Sequence, residues 1–169
     1  MTGTDPAPHL AAVAAAMALP DQPAASFAAL EAALGASIGH GLFSIMRHVP
    51  EEGWNARVHS NLPAWPVGGR KAINWDHPWA ERILRRGEVW IGHGAEDIRW
   101  AYPDHALIAS HGLTEAMNLP VRWQGRTLGA LNLLRAGPAP FTEADAALGR
   151  VFAALAVPAL LAAGPRAAG

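Results

Sequence analysis

The chain contains no cysteine. This absence excludes disulfide bridges, thiol catalysis, thioether attachment of a cofactor and cysteine-ligated metals. Charged residues are also scarce, at 16% of the 169 residues, and the formal net charge is −1 with the eight histidines neutral. Because proteins that bind nucleic acid usually carry a basic face, this balance predicts no nucleic-acid partner.

The sequence also lacks the marks of a secretory signal or a membrane span. The apolar stretch at residues 9–20 is short and rich in alanine, and the segment before it, MTGTDPAP, has neither lysine nor arginine. A secretory signal needs a basic segment there, and a membrane helix needs a longer apolar run. We therefore expect a cytoplasmic protein without membrane contact, with residues 1–23 as an Ala-rich N-terminal arm or helix.

The apolar content, 51%, suits one globular core. A first helix is predicted with Ser26 as its N-cap. A closing helix is predicted with Thr142 and Asp145 as a capping box, and Pro158 is expected to kink or shorten it. Between them lie two strands, a long excursion (residues 61–112) and a hairpin. Strands framed by terminal helices predict an α+β fold with a central antiparallel sheet, one face covered by the helices and the other by the excursion.

Alternation in the second strand predicts which side chains share a face of the sheet. The sequence WNARVHS, residues 54–60, alternates in period two, so Trp54 and Val58 point one way. Asn55, Arg57 and His59 are then expected together on the opposite face.

Residues 117–137 predict a β-hairpin with a two-residue turn at Gln124-Gly125. In that register Asn118 and Asn132 face opposite sides of the sheet, so at most one of them contacts a ligand. We select Asn118, because it lies nearest the end of the excursion. Gly129 lacks a side chain in mid-strand, which permits close approach of a helix or of a ligand.

Two segments of this region resemble the GAF domain family. They are LPVRWQGRTLGALNLL, residues 119–134, and FTEADAALGRVFAALA, residues 141–156. The resemblance extends over residues 24–162 and leaves residues 163–169 as a C-terminal tail. It implies a central antiparallel sheet with terminal helices on one face, a small-ligand pocket closed by the excursion on the other, and a homodimer formed through the terminal helices.

Several activities of that family do not suit this sequence. Without cysteine, covalent bilin attachment and methionine sulfoxide reduction are set aside, and the Asn-Lys-Phe-Asp-Glu set of cyclic-nucleotide-binding members is not found. Most GAF domains sit beside an output domain, for which this chain has no room. We therefore expect a separate output protein as a partner.

The excursion holds five of the seven tryptophans and the only tyrosine. Aromatic walls with a few polar groups are typical of small-ligand sites, although tryptophans also anchor segments that are poor in regular structure. In WAYPDH, residues 100–105, a helix beginning at Pro103 would offer free N–H groups to an anion, or Asp104 would merely stabilise the helix start. The predicted ligand-binding residues are Trp75, Trp79, Trp100, Tyr102, Asp104, His105 and Asn118.

Three functions are compatible with these patterns. The favoured one is a sensory or regulatory domain that binds an unknown small molecule and has no cofactor and no catalytic residue. The second is a dimeric interaction module without a ligand. The third is an enzyme with His105 or His111 as acid–base and Asp104 as its orienter. No metal site is expected, because His93, His105 and His111 match no dense ligand motif.

Overall fold

A computed structural model describes residues 5–164 of the chain. Residues 1–4 of the predicted N-terminal arm and residues 165–169 of the predicted tail lie outside the described residues. The elements in chain order are α1 (Ala7–Ala16), α2 (Ala24–Ser37), β1 (Leu42–Val49), β2 (Trp54–Ser60), β3 (Arg70–Ala72), α3 (Pro78–Ala80) continued by a π-helical turn (Glu81–Arg86), β4 (Trp90–His93), α4 (Gly94–Ala101), α5 (His105–Ser110), β5 (Glu115–Trp123), β6 (Arg126–Arg135), α6 (Glu143–Leu155) and α7 (Val157–Ala162).

The six strands form one sheet in the order β3-β2-β1-β6-β5-β4. Every neighbouring pair is antiparallel. Alternate side chains of a strand point to opposite faces of the sheet. Both faces are packed, each within its own cluster of buried apolar residues. The predicted α+β fold with a central antiparallel sheet is confirmed.

The terminal helices cover one face of the sheet. Val13 of α1, Phe27 of α2 and Phe152 of α6 are buried there against strand residues such as Phe43 and Leu131. Of the two alternatives for the N-terminal segment, Ala7–Ala16 forms a helix, and Val13 is fully buried. Burial of such side chains, at roughly 1.5–3 kcal/mol each, supplies the main stabilisation of this face.

The predicted start of α2 is wrong by three residues, because the N-cap is Pro23 rather than Ser26. The helix begins at Ala24, and Ser26 lies inside it, buried. Its hydroxyl donates a 2.6 Å hydrogen bond to the side-chain oxygen of Gln22 and accepts nothing from the helix N-terminus. The predictions for the closing helix are confirmed: Thr142 and Asp145 form a capping box, and α6 ends before Pro158.

A bulge in the β5–β6 hairpin changes the predicted register. The turn at Gln124-Gly125 is confirmed, with positive φ at both residues. Beyond the first two pairs, however, Leu128 is an extra residue, because the pairing passes from Thr127 to Gly129 on β6. Asn118 therefore lies directly opposite Asn132. The prediction that the two asparagines occupy opposite faces was wrong, because one inserted residue reverses the facing of all that follow.

Gly129 is required by the backbone of β1. A Cβ at this position would collide with the main-chain carbonyl oxygen of Met46 and would approach Cδ1 of Leu160 in α7 at 3.1 Å. The sequence left open a helix or a ligand as the group that approaches Gly129, but the closest group is the backbone of a neighbouring strand, and the terminal helix α7 comes second.

A second bulge, at Val58, separates the polar residues of β2. Arg57 pairs with Met46 of β1, whereas His59 pairs with Ile45. His59 consequently lies on the helical face, with its Nε2 2.7 Å from a carboxylate oxygen of Glu31. The prediction that His59 shares a face with Arg57 was wrong for the same physical reason as in the hairpin.

Candidate functional site

A cavity of about 390 Å³ lies between the sheet and the excursion. Its floor consists of alternate residues of two adjacent strands, which the register places opposite one another. These pairs are Leu42 with Leu134, Ser44 with Asn132, and Met46 with Ala130. The walls come from the excursion, whose buried side chains form a second core on this face of the sheet.

An amide network lies at one side of the cavity. The indole N–H of Trp79 donates 2.9 Å to Oδ1 of Asn118, whose Nδ2 donates to the hydroxyl of Tyr102 at 2.8 Å and to Oδ1 of Asn132 at 2.7 Å. Because an indole nitrogen only donates, this contact assigns the orientation of the Asn118 amide. Asn118 is fully buried and holds Trp79 and Tyr102 in place. Burial raises the pKa of Tyr102, against the lowering effect of its hydrogen bond with Asn118, so its hydroxyl stays protonated.

Asp104 belongs to the polar wall. Its carboxylate accepts hydrogen bonds of 2.9 Å from Lys71 Nζ and from the indole N–H of Trp65. Burial raises the pKa of Asp104, but the charge of Lys71 and these two hydrogen bonds outweigh it and lower the pKa overall. Helix α5 begins at His105 rather than Pro103, and Asp104 makes no side-chain cap to it. Asp104 thus occupies the N-cap position of α5, but its carboxylate accepts hydrogen bonds from Lys71 and Trp65 instead of from the helix.

Arg57 extends from β2 along the cavity with few partners. Its side chain is 7% exposed, and Nη1 donates a long hydrogen bond of 3.4 Å to the carbonyl of Pro66. Its Nε is buried without a partner among the described residues. Burial lowers the pKa of Arg57, partly opposed by the negative charge of Asp104. A buried guanidinium with unmade hydrogen bonds is costly, so this placement requires explanation.

The structure brings most of the predicted ligand-binding residues together. Trp79, Trp100, Tyr102 and Asp104 line the cavity, and Asn118 lies directly behind two of them. Their contact with a ligand stays a prediction.

Trp75 and His105 do not line the cavity. The Trp75 ring packs against His48, with centroids 6.0 Å apart, and under the guanidinium of Arg85 at 4.8 Å. Trp75 thus fastens the excursion to the sheet, which is the anchoring role that the sequence left open for the tryptophans.

Sequence reasoning missed several polar lining residues. Arg57, Asn55 and Lys71 line the cavity, as does His77, whose Nδ1 accepts a hydrogen bond of 3.1 Å from the backbone N–H of Trp79. The alternation of β2 was the available signal for Asn55 and Arg57. It does not show that their face is covered by another segment, because burial on that side depends on the excursion.

The residues of the enzyme hypothesis lie apart. Asp104 binds Lys71 and Trp65 rather than His105, and His111 is exposed, with its Nδ1 3.0 Å from the carbonyl oxygen of Leu107. Within residues 5–164, no group of three or more His, Asp or Glu side chains is placed to hold a metal ion. In the same range, no helix has the length and apolar character needed to cross a membrane.

Comparison with known proteins identifies the fold. A model of the GAF domain family matches residues 11–160. The chain is similar to the GAF domain of a phosphoenolpyruvate-protein phosphotransferase from Coxiella burnetii, with a TM-score of 0.77 and 16% identity over 96% of each chain. It is similar to the free methionine-R-sulfoxide reductase from Neisseria meningitidis solved with its substrate (TM-score 0.68, 17% identity, 96% of this chain and 93% of that chain). It also resembles the GAF domain of a two-component sensor histidine kinase from Bacillus halodurans, with a TM-score of 0.63 and 14% identity over 79% of this chain and 90% of that chain.

At these identities the solved structures show the fold alone. Comparison with curated protein sequences gives no match. The six-stranded antiparallel sheet with its helices defines an α+β domain of the kind that these structures share. Because the family model matches most of its length, the chain belongs to the GAF domain family. The predicted limits of residues 24–162 stay a prediction, since the family match begins within α1.

Proposed function

We propose that this protein is a sensory or regulatory GAF domain that binds a small molecule in the cavity and signals through a separate partner protein, without catalysing a reaction. The observation that carries the proposal is the cavity of about 390 Å³. Ligand sites typically measure about 300–1,000 Å³ and combine apolar walls with a few placed polar groups. Here the lining combines the aromatic rings of Trp79 and Trp100 with the polar groups of Arg57 and Asn132.

The hydrogen bonds of the cavity support a ligand site that exists before binding. The indole of Trp79 and the hydroxyl of Tyr102 are both held by Asn118, so little side-chain freedom remains to be lost on binding. Similar solved structures include a sensor kinase GAF domain and a reductase with its substrate, which is consistent with small-molecule sensing.

Native mass spectrometry of freshly purified protein, followed by a thermal-shift screen of metabolites, tests the proposal. A ligand at a hundredfold excess over its Kd stabilises the native state by about 2.7 kcal/mol. Ala130→Met extends a side chain into the cavity floor and is expected to abolish that stabilisation. Ala139→Met, at an exposed loop position, is the matched control. Equal stabilisation of the wild type and Ala130→Met would place the ligand elsewhere and contradict the proposal.

The second candidate is a homodimeric interaction module. Val151 of α6 and Leu161 of α7 are 47% and 49% exposed on the terminal helices. Exposed apolar side chains on the terminal helices favour association with a second copy. Sedimentation velocity over a concentration series is expected to show a dimer that Val151→Lys dissociates, whereas Val67→Lys, at a 61% exposed position on a loop of the excursion, leaves it intact. A concentration-independent monomer contradicts this candidate.

A further inference from the structure

Arg57 stands out among the buried charged side chains of the described chain. The other one is Glu115, 7% exposed, whose carboxylate lies 2.7 Å from Nδ1 of His93. No carboxylate lies within 4.0 Å of the Arg57 guanidinium among residues 5–164. Arg57 has one long hydrogen bond and a buried Nε without a partner. An arginine has five N–H donors, so most of its bonding capacity is unused.

The surroundings of Arg57 do not supply the missing anion. Asp104, the one carboxylate that lines the cavity, already accepts from Lys71 and Trp65. Arg99 adds a further cation to the lining. The lining therefore carries three cationic side chains against one carboxylate, in a chain whose formal net charge is −1. A positive cavity in a slightly negative protein attracts and retains anions.

We propose that the cavity binds a small organic carboxylate, whose carboxylate group is held by the Arg57 guanidinium and whose apolar part lies against Trp79 and Trp100. This inference rests on the proposed function of the cavity as a ligand site. The planar guanidinium matches a carboxylate with two parallel hydrogen bonds, which are charge-assisted and therefore strong. The binding would satisfy the donors that folding leaves unused.

A carboxylate fits the available charge better than a phosphate. Lys71 is neutralised by Asp104, and Arg99 is exposed, so Arg57 contributes the one buried unpaired positive charge of the lining. A singly charged group balances that charge. A phosphate dianion would bring a second negative charge into a buried site without a second buried cation.

The unliganded protein provides a first test that needs no ligand. Because Arg57 is buried and poorly bonded, Arg57→Met is expected to raise the melting temperature by about 2–4 °C. Arg122→Met is the matched control: Arg122 donates 2.7 Å hydrogen bonds to Thr127 and to the carbonyl of Gly125, so its loss is expected to lower the melting temperature. If Arg57→Met is destabilised as Arg122→Met is, Arg57 is structural and the inference is overturned.

Probe molecules that differ in charge alone provide the second test. Phenylacetate and its neutral isostere phenylacetamide are titrated with tryptophan fluorescence as the readout, and phenyl phosphate serves as the alternative anion. The wild type and Arg122→Met are expected to bind phenylacetate at least about tenfold more tightly than the amide. Arg57→Met is expected to weaken phenylacetate binding by about ten- to a hundredfold and to abolish the preference.

Each other outcome contradicts the inference in a recognisable way. Equal binding of the acid and the amide, or a preference that survives in Arg57→Met, removes the role of Arg57. Tighter binding of phenyl phosphate overturns the choice of carboxylate. If neutral metabolites bind in the cavity and phenylacetate fails to bind, the inference is overturned and the proposed function is kept. If neither the probes nor the metabolite screen yields a cavity ligand, both proposals fail.

Discussion

The amide of Asn118 donates a 2.7 Å hydrogen bond to Oδ1 of Asn132, directly opposite it on the neighbouring strand. The pair joins two parts of the molecule. Asn132 lies in the floor of the cavity, and Asn118 holds the wall residues Trp79 and Tyr102. The walls and the floor of the cavity are therefore connected through one buried amide group.

Replacement of Asn118 is expected to lower stability strongly. Asn118→Ala leaves the indole N–H of Trp79 and the Oδ1 of Asn132 without a partner in a buried site. The free energy of unfolding should fall by about 2–4 kcal/mol in urea denaturation. Asn74→Ala, at an exposed position with one local hydrogen bond, should change it by about 0.5 kcal/mol. Similar losses for the two variants would show that the network does not stabilise the fold.

Gly129 is expected to tolerate no side chain. In Gly129→Ala the methyl group meets the backbone carbonyl of Met46, which cannot move without disturbing the β1–β6 pairing. We expect a loss of about 1–3 kcal/mol in thermal or urea unfolding. Gly41→Ala is the matched control, because its nearest neighbour at 3.2 Å is the flexible side chain of Leu113. A Gly129→Ala protein as stable as Gly41→Ala would refute the close approach.

His48 is expected to make stability depend on pH below neutrality. Burial lowers the pKa of His48, against the raising effects of the hydrogen bond with Asn55 and the charge of Glu51. The unfolded chain, with a pKa of 6.5, therefore binds the proton before the native protein does. The contribution of the neutral, buried His48 to the free energy of unfolding is fully present above pH 6.5. It declines as the pH falls from 6.5 to the lower native pKa.

Urea unfolding from pH 8 to pH 5 measures the slope of the free energy of unfolding against pH. His48→Gln is expected to flatten it, because the titrating group is gone from both states. The exposed His111→Gln leaves the burial of His48 unchanged and should retain the wild-type slope. A slope that is the same in wild type and His48→Gln would assign it to other groups.

Asp104 is expected to contribute stability at neutral pH that acid removes. Its native pKa is lowered overall, so the contribution is present above the unfolded value of 3.8 and is lost as the pH falls through the native pKa. Asp104→Asn keeps acceptor capacity for Trp65 but leaves Lys71 without its counter-ion. Because the Lys71–Asp104 pair is partly exposed, we expect a loss of at most about 1 kcal/mol at pH 7. The difference in unfolding free energy between the wild type and Asp104→Asn should vanish at the acid end of a pH series. A difference that persisted there would have a cause other than charge.

The local chemistry of the hairpin and the closing helix was predictable from sequence. The Gln124-Gly125 turn and the Thr142–Asp145 capping box involve residues a few positions apart, so their hydrogen bonds and backbone angles are set by near neighbours. The same two segments carried the resemblance to the GAF family, and the family model confirms it. The order of helices, strands and excursion followed from such signals.

The residues that line the cavity were harder to predict from the sequence. The aromatic content of the excursion indicated Trp79, Trp100 and Tyr102, which line the cavity. It did not separate them from Trp75, which packs on His48, because all four are aromatic residues in one irregular segment. Which aromatic side chain anchors and which one lines a cavity depends on contacts with distant strands.

Local sequence was thus sufficient for the fold family, the hairpin turn and the capping box of the closing helix, since short-range hydrogen bonds and a period of two or 3.6 residues carry that information. It was not sufficient for the starts of α2 and α5. The folded chain added the two bulges, at Leu128 and Val58, which are choices of pairing between strands. A single inserted residue reverses the face to which every later side chain points. The bulges therefore place Asn118 opposite Asn132 on one face, and they place Arg57 and His59 on different faces. The buried and poorly bonded state of Arg57 also depends on the tertiary structure. Its burial comes from the excursion, which covers this face of the sheet only in the folded chain.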